Sequence, residues 1–143
     1  MAKRRNIALL IFSLSTISLC QKAKAQKEED TKIVIAVNNS ENLYTRVKDI
    51  LIRANFYVKD LSIRDSIITY PTEFNKVYVI GFATIKDNTV TLSGLYGLRK
   101  IDEWGYTNTP KNFEKIIYYK GNREWRILKD IALRLGGTIT YER

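Results

Sequence analysis

Two helical stripes of apolar residues bracket a long run of strand-like alternation. Leu43, Val47, Ile50, Leu51 and Ala54 recur at i, i+4, i+7, i+8 and i+11, with Thr45, Arg46, Lys48, Asp49 and Arg53 opposite. That is the pattern of an amphipathic helix. Its start is read either at Asn38, with Glu41 as capping-box partner, or at Ser40. Its stop is read at Asn55, since asparagine tolerates positive φ. The second stripe, Trp125, Leu128, Ile131, Ala132 and Leu135, predicts a helix over 123–135, capped by Asn122 and ended by Gly136-Gly137.

Between and around these helices the period changes to two. Lys32 to Val37 is a β-branched run of strand length. Phe56 to Ile63 and Ile67 to Thr72 flank Arg64-Asp65-Ser66 and predict a hairpin, with Pro71 ending the second strand or placing it at an edge. Val77 to Ile85 and Val90 to Tyr96 flank Lys86-Asp87-Asn88-Thr89 and predict another. In Val77–Ile85 the odd positions share one face, and Tyr78, Ile80 and Phe82 share the other, so both sides are expected to be partly covered. Small Gly81 and Ala83 would let a helix approach closely. Residues 97–121 are less regular: Gly97 to Lys100 continues a strand, Gly105 to Pro110 is loop, and Phe113 to Tyr119 is a short helix or a strand. Thr138 to Tyr141 closes the chain as a strand. The expected fold is α+β: an antiparallel sheet of about five to six strands with two helices on one face, in the order β-α-β-β-β-β-(irregular)-α-β.

Composition changes the picture chiefly at the N terminus. Lys3, Arg4 and Arg5 precede an apolar run from Ile7 to Leu19 and a small-x-small exit at Ala23-Lys24-Ala25. This is the layout of a secretory signal peptide cleaved after Ala25, too short and serine-rich for a membrane span of ~20 apolar residues. Residues 26–31 are then a flexible polar lead-in, and 32–143 a single domain in the periplasm or outside the cell. The leader carries five of the 24 Lys and Arg and none of the 15 acids, so the net charge falls from +9 to +4. A field that weak argues against nucleic acid as a partner. Cys20 is either removed with the leader or lipidated, and Leu19 stands where a lipoprotein signal has a small residue.

The chain has no histidine and no cysteine other than Cys20. That leaves no common zinc, copper or haem ligand set and no Ser-His-Asp or Cys-His pair. No cofactor and no metal are expected. Only carboxylates could serve catalysis, and Asp102, Glu103 and Glu114 give the alternative reading, a small carbohydrate-active hydrolase.

Asn-x-Ser-Glu-x-Leu-Tyr opening a helix (Asn38 to Tyr44), an Asn55-Phe56 exit, successive hairpins and a late Trp-x-x-Leu-x-x-x-Ala helix (Trp125 to Ala132) resemble small exported bacterial domains. Those are of uncharacterised families with TATA-binding-protein-like or helix-grip topology, such as the BamC-like domains. The resemblance spans roughly residues 32–141 and implies a fold and an envelope address, with no catalytic motif. Separately, Asp65-Ser66-Ile67 resembles the Asp-Ser/Thr-aliphatic sequence that some bacteria O-glycosylate, with Ser66 as the acceptor; the same residues also make an ordinary turn.

The densest candidate surface runs from Trp104 to Arg126, where Trp104, Tyr106, Phe113, Tyr118, Tyr119 and Trp125 alternate with Lys111, Lys115, Lys120, Arg123 and Arg126. Aromatic faces beside cations stack on rings and hold anionic groups. Tyr106, Tyr118, Tyr119, Lys115 and Lys120 are the candidate ligand contacts, while Trp125 and Phe113 are expected in the core. The resulting expectation is a non-enzymatic binding or accessory module of the bacterial envelope. Its partner would be an envelope protein or glycan, met by the loop over 100–122 or by the sheet face that the helices leave open.

Overall fold

The computed structural model describes residues 25–59, 65–101 and 107–143. The expected leader up to Lys24, with Cys20, lies outside these residues, as do Asp102, Glu103, Trp104 and Tyr106. In chain order the elements are β1 (Lys32–Ala36), α1 (Leu43–Arg53), β2 (Val58–Lys59), β3 (Ser66–Thr69), β4 (Thr72–Phe74), β5 (Val77–Lys86) and β6 (Thr89–Leu98). They are followed by β7 (Lys100–Ile101), β8 (Thr107–Asn108), β9 (Glu114–Lys115), α2 (Arg123–Leu135) and β10 (Thr138–Glu142). Among the described residues the fold is α+β, with two helices and a sheet whose strand pairs are all antiparallel.

The main sheet runs β10-β1-β6-β5-β3-β2, with β4 also on β5 and β9 also on β6. Its spine is the β5–β6 hairpin, paired without interruption from Val77↔Leu98 to Lys86↔Thr89. Asp87, at φ 52°, makes the tip where the Asp-Asn turn was expected. Both long strands outrun their neighbours. On β5, β3 serves the half nearer the tip and β4 the other half. On β6, β1 and β9 divide the edge in the same way. Both changeovers fall around one cross-strand pair, Gly81↔Gly94.

Pro71 forces the changeover on β5, because it cannot donate to a ladder. β3 stops at Thr69, two residues before it, and β4 resumes at Thr72. The Gly81 amide lies in this gap, and the side chain of fully buried Thr69 accepts its hydrogen bond at 2.9 Å. Threonine thus replaces a missing strand carbonyl. β4 itself was not expected; it turns into β5 through Asn75 and Lys76, both at positive φ (49° and 75°). Ser66 was placed in a turn, yet it begins β3 opposite Thr84.

The core lies between one sheet face and the helices. Ile33, Ile35, Val79, Ala83, Val90 and Leu92 meet Val47 and Leu51 of α1 and Trp125, Leu128, Ile131, Ala132 and Leu135 of α2. Gly81 does not admit a helix; its nearest neighbours beyond the strand are Thr69 and the Phe56 ring. The helix side chain approaches Gly94 instead, where a Cβ would stand 3.5 Å from Leu128 Cδ1 and 2.8 Å from Ile116 Cδ1.

The helix ends follow capping chemistry with one correction. Asn122 Oδ1 accepts from the Trp125 amide at 3.1 Å, and Asn55 ends α1 at φ 66°. Neither Asn38 nor Ser40 caps α1. Left-handed Asn42 holds that position without a side-chain bond, because Asn39 is spent on the preceding turn, accepting from the Glu41 amide at 2.7 Å. Arg46 then ties the helices together, donating to the carbonyls of Asn39 (3.1 Å) and Leu135 (3.2 Å). The second contact places a cation on the last carbonyls of α2, the electronegative end of a helix.

The polar lead-in is hydrogen-bonded into the fold. Lys27 donates its amide to the Asp30 carboxylate at 2.7 Å, and Tyr118 donates its amide to the Asp30 carbonyl at 2.8 Å. Asp30 is buried. In the 97–121 segment, β7 and β8 form a small separate ladder, and β9 settles the Phe113–Tyr119 alternative in favour of a strand.

Two substitutions test this account. Thr69→Val keeps the side chain's shape but strands the buried Gly81 amide, and is expected to cost about 1–3 kcal/mol in urea unfolding, with Thr69→Ser close to wild type. Gly137 (φ 103°) and Gly121 (φ 87°) both have left-handed backbones, but a Cβ at Gly137 would collide with the Ala36 carbonyl, whereas nothing lies within 4 Å at Gly121. Gly121→Ala is expected to cost roughly 1–2 kcal/mol; Gly137→Ala is expected to prevent folding.

Candidate functional site

The aromatic-basic segment divides when its side chains are placed. Trp125 is buried, with its ring 5.6 Å from that of Tyr118 and 6.1 Å from that of Tyr141. Tyr118 is half-buried against this stack, so it belongs to the core margin. Tyr119 is exposed, and Lys120 follows it at the turn before α2. Lys115 pairs with Leu95 in β9, on the face away from the helices. Tyr118 and Lys115 therefore stand on opposite sides of the sheet, and the candidates Tyr118, Tyr119, Lys115 and Lys120 do not converge. Tyr106 lies outside the described residues. Ser66 is half-exposed on the helix-free face, and Ala25 is exposed.

Of the three acids considered for catalysis, Glu114 alone is described. It accepts a hydrogen bond from the Tyr96 hydroxyl at 3.0 Å. That bond, then burial and the carboxylate's charge, hold the Tyr96 phenol above its ordinary value. Among the described residues no group of three or more acids, histidines or cysteines is placed to hold a metal ion.

A second cluster of polar groups sits under the lead-in. Burial pushes the Tyr141 phenol above its ordinary value; the adjacent Gln26 amide, which falls short of hydrogen-bond geometry, works the other way. The Trp125 indole N–H is likewise buried without a partner among the described residues. The lead-in itself is held by backbone bonds, Thr31 donating to the Glu142 carbonyl of β10 at 2.7 Å and Glu29 to the Tyr118 carbonyl at 3.3 Å.

The helix-free face is less polar than a solvated sheet face. Val34, Ile68, Tyr78, Ile80, Phe82 and Leu95 are half-buried on it, with Ile68↔Phe82 and Ile80↔Leu95 as cross-strand pairs. One end is covered: a Cβ at Gly97 would meet the Pro110 ring at 2.7 Å.

A concavity among the described residues lies elsewhere, where the end of α1 meets the β2 edge. It encloses ≈ 610 Å³ and is lined by Lys48, Ile52, Asn55, Phe56, Tyr57, Val58 and Tyr70. Each wall has a local cause. Asn55 stops the helix, and the chain then alternates, so that Phe56 turns in against Phe74 (ring centroids 4.9 Å apart) while Tyr57 turns out. The Tyr70 amide donates to the Tyr57 carbonyl at 2.7 Å, continuing the β2–β3 register by one pair up to Pro71 and setting the two tyrosines opposite each other. Ile52 and Lys48 come from the solvent side of α1. Tyr57, Tyr70 and Ile52 are 71, 53 and 50% exposed, large apolar surface gathered in one place. The Lys59 ammonium stands 5.1 Å from the centre of the Tyr70 ring, a cation–π contact that orients it.

This groove was missed because its residues are scattered through three segments, each explained separately as helix face, strand or turn. The usable signal was Tyr70 before Pro71, since the residue before a proline marks where the strand ends and its edge opens. No family model matches the chain, and no curated protein or solved structure matches it either.

Proposed function

We propose that this protein is an exported, non-enzymatic binding module of the bacterial cell envelope, and that it contacts its ligand through the Tyr57–Tyr70 groove. The observation that carries the reading is the gathering of three exposed apolar side chains, Ile52, Tyr57 and Tyr70, around one concavity with a cation at its wall. A folded chain gains nothing from leaving such side chains in water, whereas recognition sites collect aromatic and apolar surface with a few polar groups. The leader-like N terminus supplies the envelope address, and the absence of histidine favours binding over the commoner catalytic chemistries.

The test has two readings. Native protein is expected to begin at Gln26 and to fractionate with the envelope; an intact Met1 terminus in the cytosol overturns the address. Immobilised protein is expected to retain an envelope component that the Tyr57→Ala/Tyr70→Ala variant releases. Equal retention by that variant, folded by circular dichroism, overturns the groove as the contact surface.

A further inference from the structure

The chemistry lining the groove narrows its ligand, on the premise that the groove is the binding surface proposed above. Three kinds of group converge there. Tyr57 and Tyr70 present exposed rings, whose electron-rich faces take the polarised C–H faces of a flat ring ligand. Asn55 offers an amide that both donates and accepts, which suits hydroxyl groups. Lys48 supplies the one charge among the described lining residues, and no carboxylate opposes it there. Lys59, over Tyr70, adds a second cation beside the groove.

An all-apolar partner would leave the Asn55 amide and the Lys48 ammonium poorly solvated and unpaired, a cost recognition avoids. A cationic partner would meet Lys48 as a like charge. A neutral sugar would use the rings and the amide and leave the ammonium idle. A saccharide carrying an acidic group uses all three: ring faces on the tyrosines, hydroxyls on Asn55, and the acid in a charge-assisted bond to Lys48. A volume of ≈ 610 Å³ accommodates a short stretch of such a chain. We infer that the groove binds an acidic saccharide, by stacking on Tyr57 and Tyr70 and by pairing its acid group with Lys48.

The probe pair is a galacturonic acid tetramer and the same tetramer fully methyl-esterified, titrated into purified protein and followed by amide chemical shifts and calorimetry. The acid tetramer is expected to shift resonances of α1's end, residues 55–58 and Tyr70, and to bind at least about fivefold more tightly than the ester. Lys48→Gln is expected to erase that preference, so that the acid and the ester bind with equal affinity. Tyr57→Ala and Tyr70→Ala are each expected to weaken both tetramers by about tenfold, in line with stacking losses elsewhere, and Tyr57→Phe to restore binding. Equal affinity for acid and ester overturns the acidic-group assignment. Binding of neither tetramer overturns the saccharide assignment; if envelope material is still retained through Tyr57 and Tyr70, the groove reading survives and the ligand class alone fails. Shifts confined to residues outside the groove overturn both.

Discussion

The unbroken ladder between β5 and β6 positions nearly everything else. Ten residues on each strand pair without a bulge, longer than any other element of the sheet, so each outer edge has to be satisfied by two shorter strands. Backbone amides and carbonyls cannot be left bare at the points where one short strand gives way to the next. The two changeovers fall around the same Gly81↔Gly94 pair, where the chain has no side chains of its own and borrows neighbours instead. Thr69 supplies its hydroxyl to one side. On the other, the Gly94 carbonyl accepts from the Ile116 amide at 2.9 Å, and the Ile116 and Leu128 side chains fill the space.

The groove is a by-product of this arrangement. Tyr70 is the last residue before Pro71 that can donate to β2, and its amide bond to the Tyr57 carbonyl closes that ladder with the two tyrosines as a cross-strand pair. Tyr57 in turn stands where α1 has just been stopped by left-handed Asn55. Two chain reversals imposed by local backbone chemistry therefore bring two aromatic rings to the same edge. The groove costs the core little, because Phe56 and Val58 on either side of Tyr57 still face inward.

Both helices, their faces and the long hairpin were legible from the sequence because each is long enough for its period to repeat. Trp125, Leu128, Ile131, Ala132 and Leu135 could be read as one buried stripe, and all are buried. β4 was not legible, and β9 was so only as one of two alternatives. β9 is Glu114 and Lys115, both exposed, and only their pairing with Tyr96 and Leu95 makes them a strand. β4 was hidden by its turn, since lysine at positive φ is not a turn signal. The cap of α1 misled because Asn38 and Ser40 offered side-chain oxygens at the expected place, whereas the helix starts later, after left-handed Asn42, with no side-chain cap at all. The candidate site was read from local density of aromatic and basic residues. Density along the chain does not say which side of a sheet each residue takes, and Lys115 and Tyr118 take opposite ones.

β1, nearly the first piece of the folded body, sits between β6 and the final strand β10, with Tyr141 against Ile33 and Thr138 against Ala36. A chain emerging N-terminus-first from a narrow tunnel thus carries β1 with one margin bare until residues 138–142 are free. Premature compaction is thereby discouraged, since that margin of the sheet cannot be closed before β10 has emerged. The same arrangement leaves any C-terminally shortened product with a sticky β-edge, and makes it a candidate for aggregation rather than for partial function.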